Sequence, residues 1–427
     1  MDIVTNPEWG KVPFRSVEVA RYISREHTER EFECLWLHSW QMACREEEIA
    51  EPGAYFEYEI GDQSLAIVRT QSGEIRAYFN ACPHRGTQLL KGCGTAQQIV
   101  CPFHGWRWSL EGECRYVHDR AEFPNLADDE LALPRAQVGT WGGFVFVRLD
   151  DDGLALEHYL EPVAGQLAPY RLEDYRIRMW KQVVIPCNWK TALEAFEETY
   201  HTMRTHPQIM KGMDDVGVIY ELLGMHSRMI VTNAVASARY KGRVKETEVL
   251  QVSLAGLLDF GLADAAERDM LEEMARQPLP DGQDTRDLFR SMSHGQYGAF
   301  LSDLPLDNYM KVYHYTIFPN LAFNLMPGNF LGLMARPDGD NPDSCVFDVI
   351  CLQHPCDTEA QTTPRQVVTD ADHDWGVVMA QDMGNFGRVQ QGMHSRRMKR
   401  TRLAGYQEMR ISNRIDRIDD LYAKYGR

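Results

Sequence analysis

The chain has 427 residues, and its 45 basic against 62 acidic side chains give a net charge of −17 that repels phosphate backbones and anionic membrane surfaces. No apolar run approaches the roughly 20 residues a bilayer crossing needs, and the opening MDIVTNPEWG lacks the blocks of a signal peptide, so a cytoplasmic protein is expected. Ten cysteines over this length suit a reducing compartment with a few metal ligands, not a disulfide framework.

The length predicts two domains, or one large domain with a second inserted. Residues 24–37, SREHTEREFECLWL, space their apolar positions as a helix does and offer Thr28 and Glu31 as a capping box, which predicts a lead-in helix. From about Gly53 the period changes to two: AYFEYEI, SLAIVRT and EIRAYF follow one another across short polar turns, and GGFVFVRL at 142–149 repeats the pattern. An antiparallel β domain is therefore expected over 46–150, with residues 1–45 leading in and belonging to a larger domain that resumes at 151–427. In that larger part helices are predicted at 188–206, 264–276, 366–391 and 407–425. MKVYHYTIFPNLAFNLMP, NFLGLMAR and CVFDVICLQ read as long antiparallel strands, and PLPDGQDTRD (278–287) as a mobile loop. The fold class is α+β.

Within the β domain, Cys82-Pro-His84 and Cys101-Pro-Phe-His104 are separated by residues 85–100. A tetrahedral zinc site is the competing reading, but a zinc finger draws both thiols from one knuckle and both imidazoles from one helix. Here each knuckle supplies one of each. That mixture suits a two-iron cluster in which one iron takes both thiolates and the other both imidazoles. The glycines at 86, 92, 94 and 105 let backbone amides approach bridging sulfides. The pattern resembles that of the Rieske non-haem iron aromatic-ring-hydroxylating oxygenases, large (alpha) subunit. Respiratory Rieske proteins carry two further clamping cysteines where this chain has Thr87 and Phe103, which implies a lower potential here; Cys93 and Cys114 match neither clamp position and read as structural.

A second constellation lies in NWKTALEAFEETYHTMRTHPQ, residues 188–208. On an ideal helix His201 and His206 would point about 140° apart, so a shared metal requires the helix to loosen between them, and Pro207 marks its end. Taken alone, His201 could pack in the core and His206 sit at a helix terminus. The resemblance makes the pair specific: Glu198, Tyr200, His201 and His206 fill the family signature, and the family's third ligand, an aspartate on a C-terminal helix, falls on Asp382 in VVMAQDMGNFGRVQQGM (377–393). Independently, Val378, Met379, Phe386 and Val389 place Asp382 on an apolar helix face, where a carboxylate needs a cation; the alternative is an aspartate at the margin of that stripe, reaching water or an arginine such as Arg388. Asp372 and Asp374 are weaker rivals near the helix start.

Glu198, three residues before His201, can accept the second ring proton of that ligand. In the family this carboxylate also bridges to a Rieske histidine of the neighbouring subunit, a partner assigned here to His104. Aspartate is common at the position; glutamate occurs in members acting on quaternary amines or other non-ring substrates. Ala195 stands where asparagine is frequent, and Glu194 and Glu197 read as solvated or structural. The basic run 395–402 reads as a solvated face or a dock for an acidic electron donor, and 210–305 as the wall of an apolar pocket.

The resemblance implies a Rieske domain inserted in a helix-grip catalytic domain, with a [2Fe-2S] cluster and a mononuclear Fe(II). It also implies a homotrimer, with or without β subunits, fed from NAD(P)H by a reductase and possibly a ferredoxin. The expected activity is hydroxylation, as a cis-diol, of a hydrophobic aromatic compound. The alternatives are monooxygenation (demethylation or hydroxylation of an aliphatic or amine substrate) and an electron-transfer protein without catalytic iron.

Overall fold

The computed structural model describes residues 4, 6–127, 129–240, 242–259, 265–279, 282–356, 362–369 and 375–426. The chain divides into two compact units, Met1–Glu29 with Gly165–Lys424, and Arg30–Ala164 with Tyr425–Arg427. Residues 30–45, expected with the larger domain, thus belong to the smaller one. The reason is pairing: Gln41–Arg45, buried throughout, lies antiparallel against Phe144–Arg148. The lead-in helix is shorter than expected, running Arg25–Glu31 before a π-helical turn Phe32–Trp36 that buries Cys34, Leu35 and Trp36 in succession. Thr28 caps nothing; its hydroxyl donates to the carbonyl of Ser24 inside the helix.

The smaller unit holds a seven-stranded antiparallel sheet in the order Gln41–Arg45, Phe144–Arg148, Arg135–Trp141, Ile75–Phe79, Gln63–Arg69, Ala54–Ile60, Cys93–Thr95. The tight hairpin between Ile60 and Gln63 turns through Gly61 at φ +58°, where a Cβ would also meet the Phe32 ring at 2.6 Å. A three-stranded sheet, Ile99–Val100, Arg107–Trp108 and Cys114–Tyr116, carries the second Cys-His loop. One apolar cluster containing Tyr78, Leu89, Ile99, Trp106, Trp108 and Leu110 also includes Cys82 and Cys101, so both loops are seated on the core.

The larger unit is built on an eight-stranded sheet in the order Met213–Leu223, His226–Asn233, Lys311–Ile317, Leu321–Met326, Asn329–Asp338, Asn341–Gln353, Arg176–Ile185, Gln366–Val367. All neighbours are antiparallel except the last pair. Because side chains alternate faces, the register lines up one row across six strands: Met229, His314, Asn324, Leu331, Cys351, Met179. Helices Trp189–Glu194 and Val377–Met393 pack on this sheet, and Met409–Tyr425 is bonded to it through Arg410, which donates to Ser227 and Thr316 hydroxyls.

Two predicted helices are cut short. The one over 188–206 breaks after Glu194 and resumes only as Thr202–Thr205; the one over 366–391 starts at Val377, with Gln366–Val367 forming an edge strand and 370–374 outside the described residues. The loop expected at 278–287 gives way at Asp284 to a capping box that opens the helix Thr285–Tyr297, and residues 280–281 lie outside the described residues. Among the described residues no helix is long and apolar enough to cross a membrane.

Candidate metal centres

Asn188 caps the helix Trp189–Glu194 by accepting from the Lys190 N–H at 3.1 Å. Beyond it the backbone turns irregularly, and this break removes the angular conflict between the two histidines. His201 and His206 bring their ring centroids to 5.1 Å at 78° between planes. Asp382 reaches them from the middle of Val377–Met393, on the buried stripe with Val378, Met379 and Phe386. Its Oδ1 lies 2.9 Å from His206 Nε2 and 3.6 Å from His201 Nε2. The three residues form a group that could hold a metal ion, with one ligand atom each inside 4.8 Å. Arg388 is exposed, whereas Asp382 is buried; Asp372 and Asp374 lie outside the described residues.

The Nδ1 atoms face the other way. His201 Nδ1 meets Glu198 Oε1 at 2.5 Å, and Glu198 Oε2 accepts from the His201 backbone N–H at 3.0 Å. His206 Nδ1 meets Gln381 Oε1 at 2.8 Å, an oxygen that also accepts from Gln208 Nε2 at 2.7 Å. Carboxylate and amide oxygens only accept, so both rings keep a proton on Nδ1 and turn Nε2 toward Asp382. Burial lowers the His201 pKa, but the charge and hydrogen bond of Glu198, then the charge of Asp382, outweigh it and raise the value to about 9. Burial, with Glu198 adding to it, pushes the Glu408 carboxyl up to about 7. Two imidazoles and a buried carboxylate on one side of a point are the donor set of a non-haem iron site, and the cation offsets a charge that is otherwise costly inside a protein. The residues present fit iron.

Gln381 and Glu408 were not singled out by the sequence; the only signal was that Gln381 adjoins the expected ligand. Of Glu194 and Glu197, read as solvated or structural, Glu197 is buried and Glu194 half-buried: Glu194 accepts from Tyr22 at 2.8 Å, and Arg414 lies 3.2 Å from both carboxylates. The segment 210–305 divides between roles, with Met213, Asn233 and Phe289 lining cavity and Leu250, Leu254 and Leu271 forming a core of their own. In the basic run, Arg396, Arg397 and Lys399 are exposed, while Arg400 pairs with Glu18 at 3.0 Å.

The metal group opens on a cavity of about 260 Å³ walled by Phe196, Met229, Leu333, Val349 and Trp375. A second cavity of about 220 Å³, reaching Phe289, Tyr297 and Tyr309, shares Ile209, Met213, His314, Asn324 and Leu331 with the first.

In the smaller unit the two Cys-His loops repeat one turn. The N–H of Cys82 donates to the Thr87 carbonyl at 2.8 Å and that of Gly86 to the Cys82 carbonyl at 2.9 Å; Cys101, Trp106 and Gly105 make the same pair of bonds at 2.8 and 3.0 Å. Gly86 and Gly105 close these turns at φ +78° and +72°, a region other residues enter at a cost. The turns bring the thiols of Cys82 and Cys101 into hydrogen-bond contact and set the rings of His84 and His104 4.6 Å apart, His84 stacked on Trp106 at 4.9 Å. Burial pushes the Cys82 thiol up. At Cys101 burial is outweighed by N–H groups of His104 and Phe103, with the Thr87 hydroxyl adding to them, and the thiol is held below its usual range. His104 is half-exposed, with Arg85 Nη2 3.2 Å from its Nε2. Cys93 is exposed and Cys114 half-buried, both as free thiols.

A two-loop thiol–imidazole site in one unit and a histidine–carboxylate triad on a helix-covered sheet in the other define the architecture of a Rieske oxygenase alpha subunit. Residues 39–127 match the Rieske [2Fe-2S] domain, and residues 172–424 match the family described as ring hydroxylating alpha subunit (catalytic domain), to which the chain belongs. Its cofactors are accordingly a Rieske [2Fe-2S] cluster and a mononuclear iron. The carnitine monooxygenase oxygenase subunit of Acinetobacter pittii (strain PHEA-2) is 28% identical over 189 residues, 44% of this chain and 51% of that protein. The glycine betaine monooxygenase oxygenase subunit of Chromohalobacter salexigens is 31% identical over 181 residues (42% and 40%), and the chlorobenzene dioxygenase subunit alpha of Cupriavidus sp. (strain PS12) 30% over 195 (43% and 42%). The chain spans about half the length of the curated relatives it matches. Among solved structures, the quaternary ammonium Rieske monooxygenase CntA with L-carnitine superposes with a TM-score of 0.68 at 17% identity, covering 98% of this chain and 99% of that one. Naphthalene 1,2-dioxygenase with indole gives 0.67 at 18% identity, covering 95% and 85%. At such identities the likeness is one of fold.

Proposed function

We propose that this chain is the oxygenase component of a Rieske monooxygenase acting on a quaternary ammonium or related amine substrate. Electrons come from NAD(P)H through a reductase, with or without a ferredoxin. The observation that carries the oxygenase reading is the convergence of His201 Nε2, His206 Nε2 and Asp382 Oδ1 on the wall of a cavity. The amine reading is supported by the names of the carnitine and glycine betaine relatives and by glutamate at position 198. It stands in place of the expected aromatic dihydroxylation, which remains the second reading because the cavity beside the triad is walled mainly by apolar side chains and because of the chlorobenzene dioxygenase relative. A carrier without catalytic iron gives no reason for two imidazole nitrogens to converge on a buried Asp382.

Iron at the triad would supply oxygen activation. Around it, Glu198 and Gln381 hold the Nδ1 protons and keep both Nε2 atoms aimed at the metal position, and the apolar walls exclude water. Glu198 would further serve as the bridge to His104 of a neighbouring copy in a head-to-tail trimer, with or without β subunits. Exposed Tyr200 and Met203 near Glu198, and exposed Phe103 next to His104, support such a contact. Oxidation of a carbon next to nitrogen would give a carbinolamine that parts into an amine and a carbonyl product.

Incubation under labelled oxygen tests the reading. One labelled atom in product and one in water is expected; a diol with both atoms labelled would replace it by the aromatic reading. Iron analysis should give three irons per chain, and two would remove the oxygenase altogether.

A further inference from the structure

His314 and Asn324 are cross-strand partners at the middle of that row, and with Leu331 they line both cavities. Their strands, Lys311–Ile317 and Leu321–Met326, are otherwise mostly buried apolar residues, and the row neighbours on either side are Met229 and Leu331. Both side chains are half-buried, and the space they face is the cavity. Neither makes a side-chain hydrogen bond or ion pair with another described residue. Polar groups withdrawn from bulk water are almost always partnered, so the partner of this pair belongs in the cavity.

The charge around the pair narrows what that partner is. Arg410, fully buried on the C-terminal helix, donates to Ser227 at 3.1 Å and Thr316 at 2.7 Å, one sheet position along from His314 and Met229 on the same face. Burial first, and the Arg410 charge second, push the His314 pKa down to about 3, so the imidazole is neutral and offers an N–H. Asn324 offers two more. Donors side by side, with a buried guanidinium behind them, suit an anionic acceptor.

We propose that His314 and Asn324 are substrate-positioning residues that hold a carboxylate of the substrate, setting which carbon lies beside His201, His206 and Asp382. The pair stands where the two cavities meet, so the oxidised end enters the first and the remaining bulk extends into the second. The assignment rests on the oxygenase reading in taking the triad cavity as the substrate pocket.

Four probes test it on the holoenzyme by titration calorimetry under argon: γ-butyrobetaine and trimethyl(4-methylpentyl)ammonium, then 4-phenylbutyrate and (4-methylpentyl)benzene. Each pair exchanges a carboxylate for an isopropyl group on one scaffold. With at least one scaffold the carboxylate should bind about tenfold or more tightly than its partner, the discrimination a hydrogen-bonding site exerts. His314→Leu and Asn324→Leu should each bring the ratio to within about twofold by weakening the carboxylate probe about fivefold or more, while His314→Gln recovers part of it. Should a leucine variant fail to fold, isosteric Asn324→Asp carries the test, since its charge repels the carboxylate and must lower the ratio. A ratio near one for both scaffolds in the wild type, binding by none of the probes, or a ratio that survives in the variants overturns the assignment. Discrimination on the phenyl scaffold alone sinks the ammonium reading of the previous section and leaves this one standing.

Discussion

At the scale of single residues, the two imidazoles are aimed by groups that never touch the metal position. Glu198→Gln keeps an acceptor for His201 Nδ1 but removes the charge, so iron should stay bound while turnover falls about 100-fold; iron analysis beside single-turnover rates checks both halves. The raised pKa of His201 sets a pH dependence whose sign is fixed. In the iron-free protein the folded value, about 9, exceeds the ordinary 6.5. Its contribution to stability is therefore complete below about 6.5 and lost as pH rises through 9. Iron competes with that proton, so iron affinity should instead increase with pH up to about 9, with proton release on binding. Iron titrations at several pH values, paired with melting curves of the iron-free protein, should slope in opposite directions.

At the scale of elements, the ligand-bearing pieces are tied by buried Gln390. Its Oε1 accepts from the Asn188 N–H at 3.0 Å, and its Nε2 donates to the Tyr22 carbonyl at 2.9 Å and to Asp343 at 2.6 Å. Gln390→Leu strands these groups and should cost about 3 kcal/mol, measured by denaturant unfolding, and should lower iron occupancy because the helix start before His201 and the helix of Asp382 lose their common anchor. None of this was legible in the chain, since Gln390 sits among ordinary helical residues. What could be read was local: alternation gave the hairpins of the β domain, the mixed Cys-His loops pointed to two irons, and the apolar neighbours of Asp382 put it indoors. The break after Glu194 could be inferred only as a requirement of His201 and His206, because the sequence there favours helix and tertiary packing overrides it. Gln381, Glu408 and the pairing of His314 with Asn324 depend on register and on which helix covers which strand, and single-sequence periodicity carries no information about either. The substrate class was not legible for a related reason: apolar composition between 210 and 305 says that a pocket is greasy, not what fills it.

At the scale of the whole molecule, the cluster residues and the triad belong to different compact units. A ferrous chelator should therefore strip the mononuclear iron and abolish substrate oxidation while the visible absorption of the cluster persists, and added Fe(II) should restore turnover. Loss of both signals together would mean that the two sites share their stability. The separation of His206 from Asp382 by 176 positions has a consequence for biosynthesis. A nascent chain emerging from the ribosome displays its histidines long before the carboxylate that completes the set has been translated. Capture of iron by all three groups therefore waits until Asp382 has been made, and a product terminated before Asp382 should be colour-competent in its sulfur-bridged centre yet unable to retain the other iron.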